Sequence, residues 1–251
     1  MLNINRSASM IPQGGMTKVE RVGRGLRQCK DIGLWVIDNG CGNCKFRTPA
    51  CDDCYNRKML RFVDMRKAWA QGGLDDQNWA KATSESFKGL SRVRLNTRGE
   101  AFSSLDNIDC VADWIAGNPN TKFWMVTRAW QTGKHGSPEN WFGINEPFLK
   151  AIENKIMVFS NARVMASIDD WTSQHWNTLK DHGWSTIYFS KTLNQHPALG
   201  LEGSNISKCR KTWTKIINER GRPVHLKGVC RNCRTGCFAD CRVDVWLKYH
   251  Q

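Results

Sequence analysis

The sequence predicts an α/β fold, specifically a partial (β/α)6 parallel barrel with an N-terminal arm and a cysteine-rich C-terminal tail. Six short runs of apolar, β-branched and aromatic residues are separated by stretches that contain helical periodicity. From the second run onward, the runs begin about thirty to thirty-seven residues apart, which is the size of a βαβ unit. We expect residues 1–30 to form a basic arm, 31–228 the barrel and 229–251 a metal-binding tail.

The six runs predict six strands, and two helices can be placed between them. The strands are LWVID (34–38), VRLN (93–96), KFWMVT (122–127), KIMVFSN (155–161), TIYFSK (186–191) and PVHLKG (223–228). The stretch from Tyr55 to Trp69 has apolar residues at helical spacing, and SLDNIDCVADWIAG (104–117) ends on a glycine suited to a helix C-terminus.

Chemically distinctive residues follow the predicted strands. In a parallel barrel the carboxyl ends of the strands share one mouth, where the chemistry of such folds is carried out. We therefore expect these groups to face that mouth, in strand order: the first cysteine cluster; Arg98, Gly99 and Glu100; Thr127 and Arg128; Ser160, Asn161 and Arg163; Ser190 and Lys191.

The 11 cysteines favour metal binding over disulfides. A chain of 251 residues can bury a core without disulfide support, and an odd number of cysteines fits a disulfide framework poorly. The sequence shows no apolar run suited to a signal peptide or a membrane span, so we expect a cytoplasmic location and no membrane partner. Thiols stay reduced in that compartment.

Two cysteine clusters have the spacing of metal sites. In the first, CGNCKFRTPACDDC, the spacing C-x2-C-x6-C-x2-C suits tetrahedral zinc, and an iron–sulfur cluster is the alternative. The second has the spacing C-x2-C-x3-C-x3-C, which predicts either an iron–sulfur cluster or a structural zinc ion. The four cysteines of the first cluster are Cys41, Cys44, Cys51 and Cys54, and those of the second are Cys230, Cys233, Cys237 and Cys241.

The net charge of +14, from 37 Lys and Arg against 23 Asp and Glu, makes a polyanion such as nucleic acid a plausible partner. A basic but otherwise ordinary soluble surface is the alternative reading of the same charge. Charge alone does not decide between a binding module and an enzyme.

Several motifs together resemble the radical S-adenosylmethionine superfamily, and more closely its phage-encoded gene product eighty-eight family. They are the cysteine loop ending in CDDCYN, the segment RGEAF after the second strand, FWMVTRAW at the third strand and CRNCRTGCFADC near the C-terminus. The resemblance spans residues from about 33 to 245, although only these segments are distinctive. It implies a cytoplasmic enzyme, located in the host cytoplasm if the chain is phage-encoded.

The resemblance also implies roles for particular residues. Cys44, Cys51 and Cys54 would hold a [4Fe-4S] cluster, with Cys41 as the alternative ligand, and the tail cysteines would hold a second [4Fe-4S] cluster or zinc. S-adenosylmethionine would be bound through its ammonium, carboxylate and ribose groups. The residues implied are Gly99 and Glu100 for the ammonium, Arg163 or Arg128 for the carboxylate, and Ser160 and Asn161 for the ribose.

Two functions follow from this sequence. In the first, the chain is an iron–sulfur enzyme that takes an electron from an external donor and reductively cleaves S-adenosylmethionine to a 5′-deoxyadenosyl radical. The radical abstracts hydrogen from a substrate, which the basic charge suggests is related to nucleic acid. In the second, zinc or cluster sites stabilise a non-catalytic phage module that binds nucleic acid or a host protein. No catalytic residue is assigned.

Overall fold

The computed structural model describes residues 16–29, 34–39, 46, 48–53, 79–97, 99–133, 142–190, 206–208, 216–217, 223–224 and 244–248. Four α-helices have both ends in these ranges: α1 (Lys18–Gly23), α2 (Leu105–Ala116), α3 (Glu146–Lys155) and α4 (Trp176–Asp181). Residues 79–81 are also helical. The strands are β1 (Arg27–Cys29), β2 (Leu34–Ile37), β3 (Arg92–Leu95), β4 (Lys122–Thr127), β5 (Ala162–Asp169), β6 (Ser185–Ser190), β7 (Ile206–Lys208), β8 (Ile216–Ile217), β9 (Pro223–Val224) and β10 (Asp244–Lys248).

Eight of these strands form one open, mostly parallel sheet in the order β1-β2-β3-β4-β5-β6-β10-β7. In this order, each strand from β2 to the last strand, β7, is parallel to its neighbour. Within this sheet only β1 is antiparallel to its neighbour, β2. The α/β class with a parallel sheet is thus confirmed, whereas the sheet is not closed into a barrel. Short β8 and β9 form a separate antiparallel pair.

The main core lies on one face of the sheet, against the helices. Alternate residues of each strand point to opposite faces, so Val93 and Leu95 of β3 and Phe123 and Met125 of β4 pack into this core. A smaller cluster centred on Trp124 occupies the other face. Because successive parallel strands are joined by right-handed crossovers, sequential strand order favours helices on one side.

Helix α2 confirms the helix predicted over 104–117. The side chain of Ser104 accepts a hydrogen bond from the backbone N–H of Asn107 at 3.2 Å, which caps the first turn. Ile108, Val111, Trp114 and Ile115 recur at helical spacing and are buried against the sheet. Gly117 terminates the helix, as predicted. None of the helices in the described ranges is long and apolar enough to cross a membrane.

Part of the predicted N-terminal arm belongs to the fold. Helix α1 begins with a capping box formed by Thr17 and Glu20, and its buried Arg21 donates to the carbonyls of Ser86 and Lys88 at 3.1 and 2.7 Å. Strand β1 then extends the edge of the sheet. Residues 18–29 are therefore anchored to the fold by a buried arginine, which binds the carbonyls of Ser86 and Lys88, and by a strand pairing.

One predicted strand was wrong, and another lies outside the parallel sheet. The run 155–161 is the end of α3 and the turn after it, and the strand begins at Ala162. Of the run 223–228, only β9 is a strand in the described residues, and it pairs with β8 outside the main sheet. The sixth parallel neighbour is instead β10, from within the predicted tail. The predicted helix after Cys54 and the tail cysteines lie outside the described residues.

Candidate functional site

Buried polar residues are concentrated where the parallel strands β2 to β5 end, an edge that we call the carboxyl edge. Each of these strands ends on polar residues or is followed by them. The polar residues named below are nearly inaccessible to solvent. Buried polar groups need hydrogen-bond partners, so such a concentration requires a connected network. The residues are Asp38, Asn39, Asn96, Glu100, Thr127 and Asp169.

Glu100 is at the centre of this network. Its Oε1 accepts hydrogen bonds from Thr127 Oγ1 at 2.7 Å and from the Phe102 backbone N–H at 3.1 Å, and its Oε2 accepts one from the Arg128 N–H at 2.8 Å. Gly99 precedes it with φ of 83°, a conformation that favours glycine. Burial raises the pKa of the Glu100 carboxyl, and these hydrogen bonds partly offset that effect.

The Glu100 turn is held from strand β2. The Asn39 side-chain amide donates to the Glu100 carbonyl at 3.0 Å and to Ser103 Oγ at 3.3 Å. Asp38 accepts from the Thr97 N–H at 2.6 Å, and its other oxygen accepts from Arg27 Nε at 2.6 Å. The carboxylate of Glu100 is thus positioned by contacts from both sides of β3.

Arg128 connects Glu100 to the end of β5. Its Nη1 donates to Asp169 Oδ2 at 2.6 Å and to Thr48 Oγ1 at 3.0 Å. The side chain of Arg128 is 15% exposed and that of Asp169 only 1%. Burial by itself would raise the pKa of Asp169, but the Arg128 charge and the Thr48 hydrogen bond outweigh it, so that pKa lies below its ordinary value.

The first cysteine loop approaches this network through Thr48. The Thr48 hydroxyl donates to Asp169 Oδ2 at 2.6 Å and lies 3.8 Å from the sulfur of Cys51. Cys51 belongs to a short 3-10 helix, Pro49–Asp53, and its N–H donates to the Thr48 carbonyl at 2.9 Å. Gln131 also donates to the Phe46 carbonyl at 2.9 Å. The loop is therefore tied to the ends of β4 and β5.

The structure brings together only some of the predicted site residues. Gly99, Glu100, Arg128 and Cys51 lie at the carboxyl edge. Among the described ranges, no group of three or more His, Cys, Asp or Glu is placed to hold a metal ion. The other predicted metal ligands lie outside those ranges: Cys41, Cys44, Cys54, Cys230, Cys233, Cys237 and Cys241.

Ser160, Asn161 and Arg163 lie at the opposite edge of the sheet. They precede or begin β5, because the strand starts at Ala162 instead of ending at 161. Asn161 has a structural contact there, since its amide donates to the carbonyls of Asn118 and Thr121 at 3.0 and 3.1 Å. The expectation that these three residues close a strand beside Glu100 is therefore corrected.

Asp169, Thr48 and Asn39 are the site residues that sequence reasoning missed. A signal existed for Asp169, because the apolar run ARVMASI ends in the pair Asp169–Asp170, as polar residues end the other strands. The same signal existed for Asn39, which directly follows the run LWVID (34–38), whereas Thr48 gave no such signal. The roles of Thr48 and Asn39 depend on hydrogen bonds to residues 121 and 61 positions away along the chain.

The pKa of Asp169 predicts acid sensitivity. Because its folded-state pKa lies below the ordinary value of 3.8, it stabilises the fold above that value, and this contribution is lost as the pH falls through the folded-state pKa. The raised pKa of Glu100 acts in a different pH range: its favourable contribution to the stability of the fold is full below pH 4.5 and declines as the pH rises.

In urea unfolding at a series of pH values, we expect Asp169→Asn to lose less stability below pH 3.8 than the wild type. Parallel curves would contradict this prediction.

Comparisons with protein-family models, with curated proteins and with solved structures find no match to this chain. The carboxyl edge must therefore be interpreted from its own chemistry.

Proposed function

We propose that this chain is an iron–sulfur enzyme of the radical S-adenosylmethionine type. The observation that carries the proposal is a continuous set of contacts at the carboxyl edge. It runs from Cys51, a predicted cluster ligand, through Thr48 and Arg128 to Glu100, the predicted acceptor for the cofactor ammonium. Two residues predicted for adjacent parts of one cofactor site thus share one network.

The sheet topology supports the same proposal. Six parallel strands in sequential order, β2-β3-β4-β5-β6-β10, are the arrangement that a partial (β/α)6 barrel requires. In that architecture, reactive groups collect at the carboxyl ends of the strands. We propose that the open sheet curves as a partial barrel does.

The residues of the carboxyl edge fit the proposed cofactor. An ionised carboxylate offers about four acceptor positions, and Glu100 uses three of them for protein donors. The remaining position on Oε2 suits an ammonium group. The Cys51 sulfur is only partly buried and lies beside a hydroxyl, not within the apolar core, as a thiolate ligand requires.

When bound, a reduced [4Fe-4S] cluster with one open iron supplies the electron that cleaves S-adenosylmethionine to methionine and a 5′-deoxyadenosyl radical. Cys51, with Cys44 and Cys54, would hold this cluster, and Cys41 remains the alternative ligand. Glu100 would orient the cofactor ammonium. Arg128, whose Nη1 is committed to Asp169, would act mainly by holding the Glu100 turn and the cysteine loop together.

The experiment is a product assay on wild-type protein. The full chain is purified without oxygen, its iron and sulfide are reconstituted, and it is reduced with dithionite before S-adenosylmethionine is added. We expect broad visible absorbance and formation of 5′-deoxyadenosine, measured by liquid chromatography. A colourless protein that carries zinc and forms no 5′-deoxyadenosine would instead support the non-catalytic binding module, for which the net charge of +14 makes nucleic acid a plausible partner.

Replacing Glu100 with glutamine tests the ammonium contact. Loss of a hydrogen bond to a charged group weakens binding by about 1.5 to 3 kcal/mol, or roughly 10- to 150-fold in Kd. We expect calorimetric titration of the reconstituted protein with S-adenosylmethionine to show this loss. Glu85→Gln is the matched control, because Glu85 is exposed and pairs only weakly with Lys88 at 3.6 Å. Equal affinities for the two variants would exclude Glu100 from the cofactor site.

A further inference from the structure

Arg94, in the middle of β3, is an arginine without a carboxylate partner in the part of the chain that the structure describes. Its guanidinium lies over the ring of Trp124, with the central carbon 4.3 Å from the ring centroid. Its Nε is buried and has no hydrogen-bond partner among the described residues. The planar guanidinium is the side chain best suited to bind phosphate through two parallel hydrogen bonds.

Asn96, just beyond the end of β3, presents a second unsatisfied polar group. The residue is 4% exposed, and within the described part of the chain neither its side-chain nitrogen nor its side-chain oxygen has a hydrogen-bond partner. Its φ of 59° is in the left-handed region, which asparagine tolerates better than most residues. Among the described residues, no group replaces the water that folding removes from this amide, and a buried polar group in that state calls for an explanation.

A single ligand that contacted both side chains would satisfy both residues. They are two positions apart along the chain, which corresponds to roughly 7 Å in an extended strand. An asparagine amide offers one donor and one acceptor side by side, which matches the N6 and N7 edge of adenine. Arg94 offers a phosphate site, and the net charge of +14 favours an anionic ligand.

We propose that Arg94 and Asn96 form a subsite for a free adenine nucleotide, with the phosphate at Arg94 and the base edge at Asn96. The subsite lies on the same β3 turn that leads to Glu100, so its occupant would be held beside the proposed cofactor site. Naming this nucleotide the substrate rests on the proposed function, but the binding itself does not. S-adenosylmethionine contains adenine but lacks the phosphate that Arg94 would bind.

The test is calorimetric titration of the purified full chain, without S-adenosylmethionine, with three probes: AMP, adenosine and ribose 5-phosphate. We expect AMP to bind at least tenfold more tightly than either fragment. Arg94→Met should weaken AMP binding at least tenfold and leave adenosine binding unchanged. Asn96→Gly, which keeps the positive φ available, should weaken AMP binding and leave ribose 5-phosphate binding unchanged.

Two controls guard against indirect effects. Arg24→Met removes the same charge from an exposed position on the chain and should leave AMP binding unchanged. If Arg94→Met fails to fold, as judged by circular dichroism, Arg94→Lys keeps the charge but loses the two-pronged geometry, and it should weaken AMP binding without restoring wild-type affinity.

Three outcomes would overturn the proposal: no AMP binding at millimolar concentration, equal AMP affinity in the wild type and both variants, or tighter binding of a triadenylate than of AMP. The last would assign the subsite to a nucleic-acid strand. The two proposals can fail separately. AMP binding without 5′-deoxyadenosine formation would contradict only the proposed reaction, and 5′-deoxyadenosine formation without AMP binding would contradict only this subsite.

Discussion

Replacing Cys51 with alanine is expected to abolish 5′-deoxyadenosine formation by the reconstituted, reduced protein. Cys51 is the predicted cluster ligand whose sulfur lies beside Thr48 and thus beside the Arg128–Asp169 pair. Removing a thiolate would leave the cluster with two of its three proposed protein ligands. Loss of a group that merely supports a ligand reduces metal affinity or activity by about 10- to 100-fold, so loss of a ligand should exceed that range.

Two other cysteines provide the controls for this experiment. Cys110 of α2 packs against the main core, and burial raises the pKa of its thiol. Cys110→Ala should therefore leave iron content and product formation nearly unchanged. Cys41→Ala should also retain both. Activity that depends on Cys41 but survives removal of Cys51 would show that Cys41, and not Cys51, is a cluster ligand.

Replacing Asp169 with asparagine is expected to lower the free energy of unfolding by about 3 to 5 kcal/mol, the cost of breaking a buried ion pair from one side. Both Arg128 Nη1 and the Thr48 hydroxyl donate to Asp169 Oδ2. Its Oδ1 accepts the Trp171 N–H at 3.1 Å. An asparagine amide that keeps the latter contact would present its own donors to Arg128 and Thr48. Urea unfolding followed by circular dichroism measures the change.

An exposed pair offers the matched comparison for Asp169. Asp109→Asn removes the partner of Lys155 in an ion pair whose side chains are 54% and 47% exposed, and such pairs contribute about 0 to 1 kcal/mol. A double variant, Arg128→Met with Asp169→Leu, should recover much of the lost stability, because apolar replacement of a whole buried pair is often tolerated. If Asp169→Asn matches Asp109→Asn, the buried pair does not stabilise the fold.

The local pattern of apolar and polar residues was sufficient to predict several strands and helices. The strand predicted over 122–127 coincides with β4, and the helix predicted over 104–117 contains α2. The run 155–161 was misassigned because a short apolar run has no period that separates a strand from the end of a buried helix. Ile156 is fully buried there, but as the cap of α3. The error moved Ser160, Asn161 and Arg163 to the wrong edge of the sheet.

The sequence by itself determined the α/β class and most of the parallel strands. It also singled out Glu100 and Arg128 as polar residues that follow strands, because the pattern of a strand and the residue types after it are local properties. Only the tertiary structure decided which groups meet. Arg128 contacts Asp169 from 41 residues away, and Thr48 contacts Asp169 from 121 residues away. Such contacts depend on the order and register of β4 and β5 and on the path of the cysteine loop over them. The physical reason is that a hydrogen bond requires atoms to lie about 3 Å apart, and sequence spacing does not specify distances between separate strands.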